Sequence, residues 1–133
     1  QKVALMRRFG EAVGMAFQIQ DDILDYTRTA HTGKPANNDL REGKITLPLL
    51  AVLDKAPAER RTELLGRLAC CHDDEESVEY LQRTVENEGG LTFAAEVMRS
   101  YIARAVEMLS EYEASDYRTA LANLCAYIAE RDR

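Results

Sequence analysis

Residues 2–27 read KVALMRRFGEAVGMAFQIQDDILDYT. Apolar side chains recur there at three- and four-residue steps, through Val3, Met6, Phe9, Val13, Phe17 and Leu24. That period predicts one long amphipathic helix. Its carboxyl-terminal part breaks local rules. Asp21, Asp22 and Asp25 share a face, each within one turn of the next, so like charges repel by a few tenths of a kcal/mol per pair. They also lie toward the negative end of the helix macrodipole, which disfavours an anion by about 0.3 to 1 kcal/mol.

Such a coincidence is expected where function requires it, and a divalent cation relieves it most simply. Mg²⁺ fits, because it takes hard oxygen ligands and is completed by substrate phosphates. A solvated acidic face is the plain alternative. Gly10, Gly14 and Gln18 extend the polar stripe backward. Interior glycines cost about 1 kcal/mol each relative to Ala, so something large is expected to approach them, a packed helix or a ligand.

Beyond this helix, strand alternation is missing and the three prolines and seven glycines are few, so the fold class is all-α, a helical bundle of about six helices. From Thr29 to Lys44 apolar residues nearly vanish while Gly33, Pro35, Asn37, Asn38 and Gly43 accumulate, which predicts an extended loop. Arg28, Lys34, Arg41 and Lys44 give it positive charge, Lys34 and Lys44 each behind a glycine, a pairing suited to a phosphate. Asp39 is either a partner for these lysines or another acidic wall.

Thr46 and Pro48 predict the start of a short helix, Leu47 to Leu53, that stops before Pro57. Amphipathic helices follow over Ala58 to Ala69, Asp74 to Asn87 and Leu91 to Glu113. Gly89-Gly90 separates the last two, and Ser115 caps a final helix to Glu130. The acidic run Asp73 to Glu76 suits a helix start. Tyr80, Tyr101, Tyr112, Tyr117 and Tyr127, with Met98 and Met108, are read as core or half-buried.

The length of 133 residues suits one domain, and 46% hydrophobic with 30% charged composition excludes wholesale disorder. A net charge of −6 without a dense Lys/Arg block argues against nucleic acid. No apolar run approaches the roughly 18 residues of a membrane span. Three cysteines, odd in number and without a CxxC pair, support neither a disulfide framework nor zinc, and point to the cytoplasm. The start at Gln1, without Met, reads as a cut.

Taken in order, FQIQDDILD at 17–25, Gly33-Lys34, Asp39-Leu40 and GKITLP at 43–48 resemble the second aspartate-rich motif and following elements of the trans-type polyprenyl diphosphate synthases. RRFGEAVGMAF at 7–17 and LCAYIAERDR at 124–133 extend the resemblance over the whole chain. It implies the carboxyl-terminal part, residues 1–133, of a single all-α isoprenoid synthase domain whose amino-terminal half is absent. It further implies a prenyltransferase that joins isopentenyl diphosphate to an allylic prenyl diphosphate.

In that reading Asp21, Asp22 and Asp25 bind Mg²⁺, with Asp21 and Asp25 as direct ligands. Lys34 and Lys44 touch diphosphate, and Gln18 shapes the ionisation centre. The full-length enzyme is then a homodimer. Nothing matches the first DDxxD motif, so the chain alone is expected to be inactive. The alternative is a non-catalytic helical partner subunit of a heteromeric prenyl synthase. A metal phosphohydrolase built on His31, His72 and Asp73 is a distant third.

Overall fold

A computed structural model describes residues 2–27 and 36–131. These residues form helices α1 (Lys2–Thr27), α2 (Asn38–Arg41), α3 (Leu47–Lys55), α4 (Ala58–Cys70), α5 (Glu75–Asn87), α6 (Gly90–Leu109) and α7 (Asp116–Glu130), with no strand among them. The expected all-α class is therefore observed, with α2 as a helix where an unbroken loop was expected. The chain divides into two compact units, Gln1–Gln20 with Ala95–Asp132, and Asp21–Ala94.

The first unit takes its core from Phe9 and Ala12 of α1, Ala105 and Leu109 of α6, and Cys125 of α7. The stripe that α1 buries runs through Leu5, Phe9, Ala12, Ala16 and Ile19. The stripe read from the sequence is met in part: Phe9 and Leu24 are buried and Val13 packs against the core, but Val3 is 78% exposed, and Met6 and Phe17 are also exposed. Helix α1 is apolar on more than one face, and the alanines Ala12 and Ala16 share the buried face with Leu5, Phe9 and Ile19. Among the described residues, nothing lies within 4 Å of a Cβ built on Gly10 or Gly14, so of the two uses expected for these glycines the packed helix is not observed.

Helix α6 ends at Leu109, short of the expected Glu113. The next amides, Ser110, Glu111 and Tyr112, bond back three residues, and Ser110 Oγ donates to the Glu107 carbonyl. Tyr112 turns away to donate its hydroxyl to the Lys2 carbonyl at 3.0 Å. Ser115 caps α7 as expected, accepting the Arg118 amide at 3.1 Å. Tyr117 is 85% exposed and Tyr127 is exposed too, which corrects their reading as core.

The second unit packs Tyr26, Leu40, Leu49, Val52, Leu53, Leu64, Leu68, Val78, Leu81 and Val85 into its core. Thr46 stands at the N-cap of α3, yet its hydroxyl makes no capping bond. Pro48 in the first turn supplies no N–H, which removes one of the two amides a capping side chain uses. Pro57 forces Ala56 into extended backbone and so ends α3. Arg61 then covers the freed carbonyls, donating to Leu53 and Ala56 at 3.0 Å each.

Asp74 caps α5, accepting the Glu76 amide and the Ser77 hydroxyl, as the acidic run suggested. His72 and Asp73 are exposed in the preceding turn, 3.4 Å apart, and His31 lies outside the described residues. After Gly89, at φ +83, α6 starts at Gly90, where an added Cβ would strike the Pro48 carbonyl and Val85. Among the described residues, no helix is long and apolar enough to cross a membrane.

One substitution at two glycines should have opposite signs. Gly90→Ala forces its new methyl against the Pro48 backbone carbonyl and is expected to lower unfolding free energy by about 1–3 kcal/mol. Gly66→Ala, exposed within α4 with nothing in reach of its new methyl, should raise it by about 0.5–1 kcal/mol. Urea denaturation of both variants reads the two shifts.

Candidate functional site

The acidic end of α1 belongs to the second unit. Asp21 and Asp22 are half-buried there, while Asp25 is only 5% exposed. Burying a carboxylate requires donors, and the chain supplies them from α2. Asn38 N–H donates to Asp25 Oδ1 at 3.2 Å and Asp39 N–H to Oδ2 at 2.9 Å. The Asn37 amide donates to the Asp25 carbonyl at 2.6 Å. The amides at the start of α2, which would otherwise lack acceptors, are thus met by one aspartate. A carboxylate offers about four lone pairs, so these bonds leave Asp25 capacity for a cation.

Helix α2 presents Asp39 to the same place. Burial, then the charges of Asp25 and Asp22, push the Asp39 carboxyl above its ordinary value, with Lys44 acting in the opposite direction. Three carboxylates therefore share one field. Behind α2, Gly43 at φ +74 turns the chain, and the Lys44 amide donates to the Asp39 carbonyl at 2.8 Å. The Lys44 side chain is exposed and pairs with Glu42 at 3.0 Å. That bond and charge, followed by Asp39 and Asp25, raise its pKa. Arg41 is drawn aside, to the Ala36 carbonyl and to Glu75.

Beneath the acids, Tyr26 is buried with the Thr46 hydroxyl beside its own, and neither oxygen makes a well-aligned hydrogen bond. Burial drives the Tyr26 phenol far above its usual range. Thr46 opposes this shift, and the charges of Asp25, Asp39 and Asp22 add to it. The phenol stays neutral.

Of the residues singled out in the sequence, Asp22, Asp25 and Lys44 fall within one electrostatic neighbourhood, with Asp21 on the same end of α1. Gln18 is exposed on α1 within the other compact unit. Lys34 lies outside the described residues. Asp39, left open between two uses, joins the acids. Gln82 of α5 was missed altogether: it donates to the Tyr26 carbonyl at 3.3 Å and accepts from Asn37 at 3.1 Å. No spacing in the sequence signals an amide that acts across 45 and 56 residues.

Among the described residues, no group of three or more His, Cys, Asp or Glu side chains is gathered closely enough to hold a metal ion. The donors nevertheless fit a hard cation: they are carboxylate oxygens, and the Asp39 carboxyl is raised by burial and then by the charges of Asp25 and Asp22, which Lys44 offsets only in part. Chemically, the arrangement offers a negative wall for a divalent ion and, on the turn behind α2, an ammonium for an anion.

The chain is 34% identical over 133 residues to the short chain isoprenyl diphosphate synthase of Methanothermobacter thermautotrophicus, covering 99% of this chain and 40% of that protein. It is 39% identical over 127 residues to the all-trans-nonaprenyl-diphosphate synthase (geranyl-diphosphate specific) of Rhodobacter capsulatus, covering 95% of this chain and 38% of the relative. The crystal structure of polyprenyl synthase from Caulobacter crescentus CB15, complexed with calcium and isoprenyl diphosphate, superposes with a TM-score of 0.84 at 31% identity. That match covers 98% of this chain and 40% of the other. The chain thus spans about two fifths of the length of these relatives. The polyprenyl synthetase family model matches residues 1–87, across the acidic end of α1, α2 and the Lys44 turn, and the chain belongs to that family.

Proposed function

We propose that this chain is the carboxyl-terminal part of one all-α prenyltransferase domain, which condenses isopentenyl diphosphate with an allylic prenyl diphosphate in a Mg²⁺-dependent elongation. The observation that carries the reading is the junction of α1 and α2, where the aspartate-rich end of one helix and the lysine turn behind the other meet through Asp25. Asp21, Asp22 and Asp25 would hold Mg²⁺, with Asp39 adding to the negative field. Bound there, Mg²⁺ supplies positive charge to the departing diphosphate oxygens.

Lys44, freed from Glu42, moves its ammonium onto the diphosphate, and Lys34 serves the same anion. Gln18, one turn before the acids in the sequence, would help shape the ionisation centre beside the departing diphosphate. Carbon–oxygen cleavage sends the electron pair to diphosphate. The isopentenyl double bond then attacks the allylic cation, and loss of a proton restores the alkene. Fixed charges aimed at the leaving oxygens suit this step, because charge develops there in the transition state. The full-length protein is read as a cytoplasmic homodimer, and the first DDxxD motif must come from beyond these 133 residues.

Two measurements check this. In the full-length protein, Asp21→Ala and Lys44→Ala should each reduce labelled isopentenyl diphosphate incorporation by about 100-fold or more, and the 133-residue chain alone should form no product. Full incorporation by Asp21→Ala would refute the assignment of Asp21, and a wild-type full-length protein that incorporates nothing by itself would leave a helical partner subunit as the better reading.

The second measurement needs no turnover. With its folded pKa raised, ionised Asp39 weakens the fold at pH above that value, and the cost disappears as the pH falls and the proton returns. Without divalent ions, Asp39→Asn should therefore raise Tm at pH 7 and lose its advantage in acid. Added Mg²⁺ should raise the wild-type Tm more than that of the variant.

A further inference from the structure

Gln82 lies on α5, outside every motif of the site, and both ends of its amide are in use. Its Nε2 donates to the Tyr26 carbonyl at 3.3 Å and its Oε1 accepts from Asn37 Nδ2 at 3.1 Å. The Tyr26 carbonyl belongs to the last turn of α1, where carbonyls lack helical partners. Asn37 immediately precedes α2 with φ 65, the left-handed conformation that asparagine tolerates better than most residues.

The Asn37 Oδ1 is buried without a hydrogen-bond partner, so the bond to Gln82 sets the orientation of its side-chain amide. From Asn37 the constraint passes forward. The Asn37 N–H meets the Asp25 carbonyl, and the next two amides meet the Asp25 carboxylate. Asp39 then accepts the Lys44 amide. Gln82 thus fastens the entry of α2 to the exit of α1 from a third helix.

We propose that Gln82 is a positioning residue for the diphosphate site: through Asn37 it holds α2, and with it Asp39 and the Lys44 turn, against the aspartate-bearing end of α1. This rests on the prenyl-transfer reading above. A misplacement of about 1 Å at a reacting centre can cost about 100-fold in rate, and a polar clasp between three elements limits such play. A purely structural glutamine would instead secure the helices without favouring the reaction.

The test compares Gln82→Ala and Gln82→Glu in the full-length protein. Glutamate keeps the acceptor for Asn37 but sets an oxygen against the Tyr26 carbonyl. Hydrogen exchange is measured without metal or substrate. In Gln82→Ala the amides of Asn38, Asp39 and Lys44 should exchange about tenfold faster or more, while Leu81 and Val85 on α5 keep their protection. The same variant should lose about tenfold in kcat with a smaller change in KM, and Gln82→Glu should lose less.

Unchanged exchange in α2 would overturn the proposal. So would a lowered Tm with loosened α5 and unaltered kcat, which marks a structural role alone. A wild-type full-length protein without prenyl-transfer activity would instead remove the prenyl-transfer reading on which the proposal stands, whatever the exchange rates show.

Discussion

The carboxylate of Asp25 accepts the first two amides of α2, and the arrangement of the acidic end of α1 depends on that junction. A buried carboxylate without donors would shed its charge or unfold its surroundings. Here two backbone amides supply the donors, and in return a four-residue helix, too short to be stable alone, is held in place. The same contact sets the distance between acids and lysine. One side chain thereby converts a charge placed at an unfavourable helix end into a fixed corner between two segments.

The repulsion around that corner is not removed by this bonding. Asp22, Asp25 and Asp39 remain within one field, the exposed Lys44 offsets it only in part, and Arg41 is committed elsewhere. The acids lie over a neutral tyrosine that belongs to the packed core of the second unit. That distribution suits a surface which is to meet a divalent ion and an anion together.

The parts of the fold legible in the sequence are those whose causes are local. Pro57, Gly89, Asp74 and Ser115 act on their own neighbours, and the helix boundaries beside them agree with the structure. The aspartates of α1 were legible for the same reason, since their spacing alone creates the penalty. The buried stripe of α1 was legible only in part, because periodicity weighs the size of side chains and a helix with two apolar faces offers more than one answer. Helix α2 owes its existence to Asp25, thirteen residues before the first amide it receives. Gln82 owes its role to helices that sequence order keeps far apart.

Gly90 shows how volume can imitate chemistry. It holds no ligand and lies outside the acidic corner, yet the start of α6 meets the Pro48 carbonyl so closely that there is no room for a methyl group. An exhaustive substitution library selected on growth would find Gly90 as unforgiving as a catalytic aspartate. Intolerance to mutation would thus point to two places in the second unit, one for the charge it must carry and one for the atoms it must lack.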